Sequence, residues 1–394
     1  MFSLEELKYD MSTCMRCSNC KWIDHVYIKG YEFAQICPSL KRYLFDAYSC
    51  QGRISIAKAL LDGKLKYSPK LAEIIYTCTL CGACDVMCKR CMDMEPLLIL
   101  EALRAKYINW TGAPLPEHKA LAENIERTGN IYAENDPGKN RLNWLPKDFK
   151  PPKKASTLYF VGCVPTYRQQ EIAKATLEIL RKSGIDFTVT PEEKCCGNVL
   201  YSTGQVDRAV NVMKYNIELF RKLGIEQVIT SCAACYKTFK GDYPKLRKKS
   251  TEDLGFKVVH ITELLERLVK EGKLKFREFK IRVTYHDPCQ LGRLSEPWIN
   301  WEGKREKFGI LNPPKKFRRG TYGVYNAPRN VLKSIPKLEF VETVRRKEHA
   351  WCCGAGGGVR EAFKDFALWT AKERIKEAKT TGVEAIITCC PLCK

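Results

Sequence analysis

The chain has 394 residues, of which 45% are hydrophobic, enough for the cores of about two to three domains. Its 21 cysteines do not suggest a secreted disulfide scaffold, because such scaffolds are far shorter and no signal peptide opens the sequence. We therefore expect the protein to reside in a reducing cytoplasm. No apolar run reaches the length of about 18 residues that a membrane span needs, so no membrane-spanning helix is expected.

The formal net charge of +22 indicates an acidic partner, an anionic membrane face or nucleic acid. Basic residues are concentrated in the runs 147–154, 245–249 and 315–319. These runs lack the interleaved aromatic residues that stack on bases, so nucleic acid is disfavoured. Two explanations of the basic runs remain: docking to an acidic redox partner, and simple solvation.

Two runs of closely spaced cysteines lie in the first hundred residues. In bacterial ferredoxins, three such thiolates bind one [4Fe-4S] cubane, and the fourth cysteine of each run ligates the other cluster. We therefore predict two [4Fe-4S] clusters, one bound by Cys14, Cys17, Cys20 and Cys88 and the other by Cys78, Cys81, Cys84 and Cys37.

Two departures from the ferredoxin pattern leave alternatives open. Cys37 follows Cys20 after 16 residues rather than three, and Lys89 rather than proline follows Cys88, so Cys91 is an alternative fourth ligand. Structural zinc also takes four thiolates, but usually as two pairs, and the triplets here favour cubanes.

Apolar residues at helical spacing predict helices over 54–61, 71–76 and 97–107, so residues 1–111 are expected to form an all-helical segment. Residues 112–155 are polar and rich in proline. We interpret them as a linker that lies over the surface.

The rest of the chain contains one cysteine pattern twice: a single Cys, then Cys-Cys-Gly, then CxxC. Five thiols from three loops can surround one cluster, whereas adjacent cysteines pair poorly with each other. The predicted metal ligands are Cys163, Cys195, Cys196, Cys232 and Cys235 in the first copy, and Cys289, Cys352, Cys353, Cys390 and Cys393 in the second. Cys50, Cys91 and Cys389 are left over; Cys389 is an alternate ligand or an inert thiol.

Predicted strands precede several of these cysteines directly, at 158–161, 227–230, 281–285 and 385–388, and predicted helices at 169–183 and 206–223 lie between strands of the first copy. Strands that alternate with helices form parallel sheets, whose carboxyl ends gather ligands. We expect a first half at 156–275 and a second half at 276–394, related by a pseudo-twofold axis.

The second half contains an insert at 297–323 with two tryptophans and a basic cluster. It is a specificity loop over the second cluster, a partner-docking element or a neutral surface insertion.

Glycines follow both Cys-Cys pairs. The run that begins at Gly354 does not match the spacing of a dinucleotide-binding loop. We therefore assign Gly197, Gly354 and Gly356 to cofactor binding, where backbone N–H groups approach cluster sulfurs.

His286 lies three residues before Cys289 and is the candidate catalytic proton donor, the alternative being a hydrogen-bonded structural histidine. Three arginines near the cysteines are candidates to bind an anionic substrate, with solvation as the alternative: Arg168, Arg293 and Arg329.

Taken together, these motifs resemble the family of the heterodisulfide reductase D subunit. The resemblance implies an α+β multidomain protein, with an all-helical bis-[4Fe-4S] ferredoxin domain followed by two α/β CCG domains. It also implies electron transfer from the cubanes to one or two noncubane CCG-type iron-sulfur clusters, with zinc possible in one half, and reduction of a disulfide substrate. The expected setting is anaerobic, in the cytoplasm or peripheral on the inner membrane face through a partner.

The partners implied are other redox subunits: a flavoprotein, a ferredoxin-like protein or a membrane haem or quinone subunit. Some relatives only pass electrons in acyl-CoA or benzoyl-CoA reductase, lactate or glycolate oxidation, or sulfite reduction systems. An electron-transfer subunit without its own substrate is therefore the alternative function, and a zinc scaffold is a third. Family members usually continue beyond the last CxxC, so a tail after Lys394 is expected.

Overall fold

The computed structural model describes residues 2–133 and 141–394. Its first part is helical and has one apolar core, which includes Ile54, Ile75, Leu98 and Leu103. Pro96 starts the longest of these helices, and Gly112 ends it in the left-handed conformation. The helices are α1 (Lys8–Thr13), α2 (Pro38–Tyr43), α3 (Cys50–Leu61), α4 (Pro69–Tyr76), α5 (Ala83–Cys88) and α6 (Pro96–Thr111).

The segment expected to be a surface linker contains a packed helix, α7 (Pro116–Thr128). Its buried residues His118, Ala122 and Ile125 form one face, and Trp144 further along is buried in the core of the first half. The surface-linker interpretation is therefore wrong for these residues, because a narrow apolar stripe suffices to bury a mostly polar helix. Residues 134–140 of this segment lie outside the described part of the chain.

The first half contains a four-stranded parallel sheet with strand order β2-β1-β3-β4. Thr157 pairs with Phe187 on one side and with Gln227 on the other. The strands are β1 (Thr157–Phe160), β2 (Phe187–Thr188), β3 (Gln227–Thr230) and β4 (Lys257–His260). The helices are α8 (Cys163–Tyr167), α9 (Gln170–Lys182), α10 (Asn198–Ser202), α11 (Val206–Lys222), α12 (Ala233–Lys237), α13 (Tyr243–Arg247) and α14 (Ile261–Lys270).

The second half contains a three-stranded parallel sheet with order β8-β5-β9. Ile281 pairs with Leu338, and Val283 pairs with Ala385. Its elements are β5 (Ile281–Tyr285), β6 (Lys304–Arg305), β7 (Leu311–Asn312), α15 (Asn326–Lys333), β8 (Leu338–Val341), α16 (Val359–Ala362), α17 (Lys364–Lys379) and β9 (Ala385–Ile387). The α+β fold with two parallel-sheet halves is thus confirmed, and β8-β5-β9 repeats the arrangement β2-β1-β3.

The insert folds back onto the helical segment. Strands β6 and β7 form a short antiparallel hairpin, and the Trp298 ring meets Phe2 edge-on at 5.9 Å. Lys315 pairs with Glu95 at 2.8 Å, and Arg319 pairs with Asp93 at 3.3 Å. These two cations of the basic cluster therefore bind carboxylates within the chain.

Within the described residues, no helix combines the length and the apolar content that a membrane crossing requires.

Candidate functional site

The cysteines of both halves lie at the carboxyl ends of the central strands. Cys163 opens α8 just after β1, and Cys232 follows β3. Cys289 and Cys390 occupy the corresponding positions after β5 and β9. Parallel strands end at one edge of their sheet, so each half gathers its thiols there.

In the first half the five thiols are buried, and hydrogen bonds link each to the next, from Cys163 through Cys195, Cys196 and Cys235 to Cys232. The Cys195 thiol donates to both Cys163 and Cys196, and these bonds, together with burial, raise the pKa of Cys195 well above its usual value. Donation from Cys195 and Cys235 lowers the pKa of Cys196. Five thiols this close cannot all ionise unless a cation compensates their charge.

Backbone groups around these thiols fit a bound cluster. Gly162 adopts φ +78°, and a Cβ there would lie 3.1 Å from the Cys235 sulfur, so a side chain would crowd the site. The N–H of Gly197 donates to Cys195 Sγ at 3.5 Å, and the N–H of Gly354 donates to Cys352 Sγ at 3.3 Å. Gly356 instead packs against the backbone of Thr79, where a Cβ would lie 2.8 Å from the carbonyl oxygen.

A buried ion pair fixes the start of the first-half site. Glu193 accepts the N–H groups of Val161 and Gly162 at 3.0 Å each, and Arg141 Nη2 lies 2.6 Å from Glu193 Oε1. The carboxylate therefore holds the turn that delivers Cys163. Arg141 lies in the predicted linker, and no motif indicated this role.

In the second half, Cys352 and Cys393 link the remaining thiols. Cys352 donates to Cys289 and Cys353, and Cys393 donates to Cys353 and Cys390. These bonds and burial raise the pKa values of both donors. Donation from Cys352 and Cys393, with a smaller effect of His286, lowers the pKa of Cys353.

Cys88 lies among cysteines of both N-terminal runs. Burial raises the pKa of Cys88, and the nearby Asp85, Cys20, Cys84 and Cys14 raise it further. Its neighbours are Cys14 and Cys20 of its own predicted set and Cys84 of the other set. Cys91 is exposed and accepts a hydrogen bond from Asn19.

Cys37 lies beside the other set. Burial raises its pKa, Arg53 opposes this, and Cys84 and Cys78 add to it. Arg53 is buried and holds the loops around these thiols, donating to Ser39 Oγ at 2.8 Å and to the Thr77 carbonyl at 3.0 Å.

Lys89, the departure from the ferredoxin pattern, is buried in an ion-pair network. Its Nζ lies 2.8 Å from Asp85 Oδ2 and 2.5 Å from Glu95 Oε2. Burial alone would raise the pKa of Glu95, but Lys89 and Lys315 outweigh it and lower the pKa to about 2. Lys89 therefore binds two carboxylates, which a proline at this position could not do.

Cys50 joins the two cubane motifs. Its buried thiol donates to Cys20 of one predicted set and to Cys84 of the other. The sequence did not assign it a role because it belongs to no spaced motif. Its position at the start of α3 places it between the two runs.

Two further contacts connect the cysteine groups across the chain. Cys81 of the helical segment donates to Cys352, and Cys232 of the first half donates to Cys390 of the second. Cys232 and Cys390 follow corresponding strands, and contact between equivalent residues is what an approximate twofold relation produces. A chain of sulfur contacts thus leads from the cubane motifs through the second half to the first.

Arg104 of α6 fastens the helical segment to both halves. Its buried Nη1 donates to the carbonyls of Ser202 at 2.7 Å and Gly357 at 2.6 Å, and Nη2 donates to the Cys78 carbonyl. His118 adds a second contact at 2.9 Å between its Nε2 and the Gly358 carbonyl.

A cavity opens onto the first-half site. All five first-half cysteines line it, together with apolar side chains such as Val199 and Leu392 and the second-half glycine turn 356–358. Its wall also contains Arg360, whose Nη2 pairs with Glu361 at 2.9 Å. His286 is not among the described residues that line it.

The three candidate substrate-binding arginines all have contacts within the chain. Arg293 is buried and donates to the carbonyls of Cys81 and Ala350, each at 2.7 Å. Arg329 forms a bidentate pair with Asp287 at 2.6 and 2.8 Å. Arg168 is exposed and lies over the Tyr132 ring.

Cys389, one of the cysteines outside the motifs, contacts the Tyr285 hydroxyl through its sulfur at 2.6 Å.

Comparison with protein families defines the class of protein. Residues 10–91 match the 4Fe-4S dicluster domain, and residues 157–240 and 315–394 match the cysteine-rich domain called CCG. The protein is an iron-sulfur electron-transfer subunit of the oxidoreductase class.

The curated relatives define the family. The chain is 33% identical to the D subunit of dihydromethanophenazine:CoB–CoM heterodisulfide reductase from Methanosarcina mazei, over 98% of this chain and 88% of that protein. It is 30% identical to the B subunit of fumarate reductase (CoM/CoB) from Methanothermobacter marburgensis, over 82% of this chain and 56% of that protein. It is 28% identical to EtfAB:quinone oxidoreductase of Syntrophomonas wolfei, over 84% of this chain and 44% of that protein. The chain belongs to the family of the heterodisulfide reductase D subunit.

Proposed function

We propose that this subunit receives electrons at its cubane motifs and passes them through the second half to the first, where a disulfide is reduced. The balanced reaction is R–S–S–R′ + 2e⁻ + 2H⁺ → RSH + R′SH. When bound, iron-sulfur clusters supply the single-electron chemistry that this reaction needs. The name of the Methanosarcina relative supports a heterodisulfide as substrate.

The observation that carries the proposal is the cavity at the end of the sulfur chain. The chain begins at Cys20 and Cys84, crosses from Cys81 to Cys352, and reaches the first half through the contact of Cys390 with Cys232. The cavity adjoins the thiols of the first half. A substrate would therefore meet the electrons at this end.

Electron entry fits the opposite end of the chain. Cys17 is exposed, and the neighbouring Met15 side chain is 72% exposed. A redox partner can approach this edge closely, whereas the first-half cysteines are buried. We propose that the electron-donating partner docks beside Cys17.

The glycine N–H groups at both Cys-Cys pairs support cluster binding by these loops. Hydrogen bonds to cluster-ligand sulfurs are one means by which a protein sets reduction potential. The bonds to Cys195 and Cys352 are in place, so we propose that Gly197 and Gly354 hold and tune noncubane clusters.

A cavity-filling variant tests the proposal. Reduced viologen is mixed anaerobically with the iron-loaded protein and the heterodisulfide of coenzymes M and B. Val199→Phe should slow disulfide-dependent viologen oxidation at least about tenfold, because the ring occupies the cavity. Val344→Phe, at a valine that is 43% exposed, is the matched control and should retain the rate.

The alternative is an electron-transfer subunit without its own substrate, which the names of the quinone oxidoreductase and fumarate reductase relatives favour. In that case viologen reduces the clusters but no disulfide reoxidises them. An equal rate in Val199→Phe and the wild type would also contradict the cavity as the reaction site.

A further inference from the structure

The buried imidazole of His286 faces two cysteines of the second half. A ring nitrogen of His286 and the sulfurs of Cys353 and Cys393 all lie within 4.8 Å of one another. Among the described residues, no other three His, Cys, Asp or Glu side chains bring their ligand atoms this close to one another. Thiolate and imidazole ligands of one tetrahedral ion lie about 3.5 Å apart, so the three need only a small movement to share an ion.

The hydrogen bonding of His286 does not fit a structural histidine. His286 is 4% exposed, and, the Cys353 sulfur aside, neither ring nitrogen finds a hydrogen-bond partner among the residues that the structure describes. Its backbone N–H donates to the Ile387 carbonyl at 2.8 Å, which fixes the residue at the end of β5. Buried polar nitrogens left in this way indicate an absent ligand.

His286 also lacks what a proton donor would use. The adjacent carboxylate of Asp287 is bound to Arg329 and to the N–H of Lys347 at 2.8 Å, so it is not available to orient the ring. The ring also lies apart from the first-half cavity, where the proposed substrate would need protons.

We infer that His286 is a nitrogen ligand to iron in the second half, beside Cys353 and Cys393. This inference rests on the proposed passage of electrons through that half. The contacts from Cys352 to Cys81 and from Cys390 to Cys232 place this site between the cubane motifs and the first half. Zinc has no redox chemistry and would interrupt that path, so iron is the ion that fits.

A neutral imidazole adds no negative charge to the iron, whereas a further thiolate would. Nitrogen ligation of this kind raises the reduction potential of iron-sulfur centres. His286 would therefore make the second half a better electron acceptor from the cubane beside Cys81.

The test is pulsed EPR on the iron-loaded protein, prepared once with ordinary histidine and once with ¹⁵N-histidine. We expect a strongly coupled nitrogen that changes on labelling, on the signal that Cys353→Ser removes. His286→Leu should lose this coupling and shift the midpoint potential of the same centre to more negative values. His349→Gln, at another buried histidine whose Nδ1 lacks a partner, is the control and should change neither.

A wild-type signal without histidine coupling overturns the inference, as does zinc instead of iron in the second half. The labelled wild-type protein gives the answer even if His286→Leu fails to fold. Failure of disulfide reduction, by contrast, bears on the proposed function and leaves the nitrogen coupling as a separate result.

Discussion

The two CCG halves share a topology but differ in what meets the carboxyl edge of each sheet. In the first half, five buried cysteines face a cavity. In the second half, Cys289, Cys353 and Cys393 are only half-buried, and the edge meets Cys81 of the helical segment. The surroundings of a repeated ligand set thus differ more than the ligand set itself, which favours different roles for the two halves.

The largest expected difference concerns the first cysteine of each half. Cys163→Ser should lower disulfide-dependent viologen oxidation by about 100-fold or more and remove the first-half EPR signal, because serine is a poor iron ligand. Cys289→Ser should also stop turnover but leave the first-half signal. Cys389→Ser, outside the chain of sulfur contacts, should retain both. Loss of the first-half signal in Cys289→Ser would contradict separate sites.

Arg104 tests how both halves are held to the helical segment. Arg104→Met leaves the buried carbonyls of Ser202 and Gly357 without their donor and should lower the free energy of unfolding by about 3 kcal/mol or more. Anaerobic urea unfolding measures this. Lys106→Met on the same helix, which removes a surface pair with Glu5 and a cation–π contact with Trp110, should change stability by less than about 1 kcal/mol. Similar losses in the two variants would argue against Arg104 as the fastening residue.

His118 provides a pH-dependent test of the same junction. Burial lowers its pKa from 6.5 to about 4, so between these pH values the unfolded chain binds the proton and the folded chain does not. Folding stability should therefore fall as pH falls through this window, by about 1.4 kcal/mol per pH unit from this residue. His118→Gln should make urea midpoints less dependent on pH between 6.5 and 4. An unchanged slope would show that the ring is not held neutral.

The smallest effect is expected at the insert. Arg319 and Asp93 form an exposed pair, and Arg319→Ala should change the free energy of unfolding by less than about 0.5 kcal/mol. Thermal unfolding under anaerobic conditions measures this change. A larger loss would mean that the attachment of the insert to the helical segment contributes more to stability than this exposed pair indicates.

The sequence predicted the strands that lead directly into cysteines at 163, 232, 289 and 390, because each is a short apolar run, but it did not predict β4 or β8, which no cysteine follows. It missed α7, although Pro116 at the helix start and Gly129 after its end are ordinary helix signals. The roles of Arg104 and Arg141 could not be predicted, since their partners are backbone carbonyls and a carboxylate distant in sequence. Cys50 was left without a role for the same reason: only folding brings it between Cys20 and Cys84.

The contact between Cys232 and Cys390 also bears on the origin of the repeat. Because the two residues hold equivalent positions, the same junction is available to two copies of a single-half protein assembled as an isologous homodimer. Gene duplication and fusion would then preserve an existing interface while freeing each copy to diverge, one toward the cavity and the other toward the helical segment.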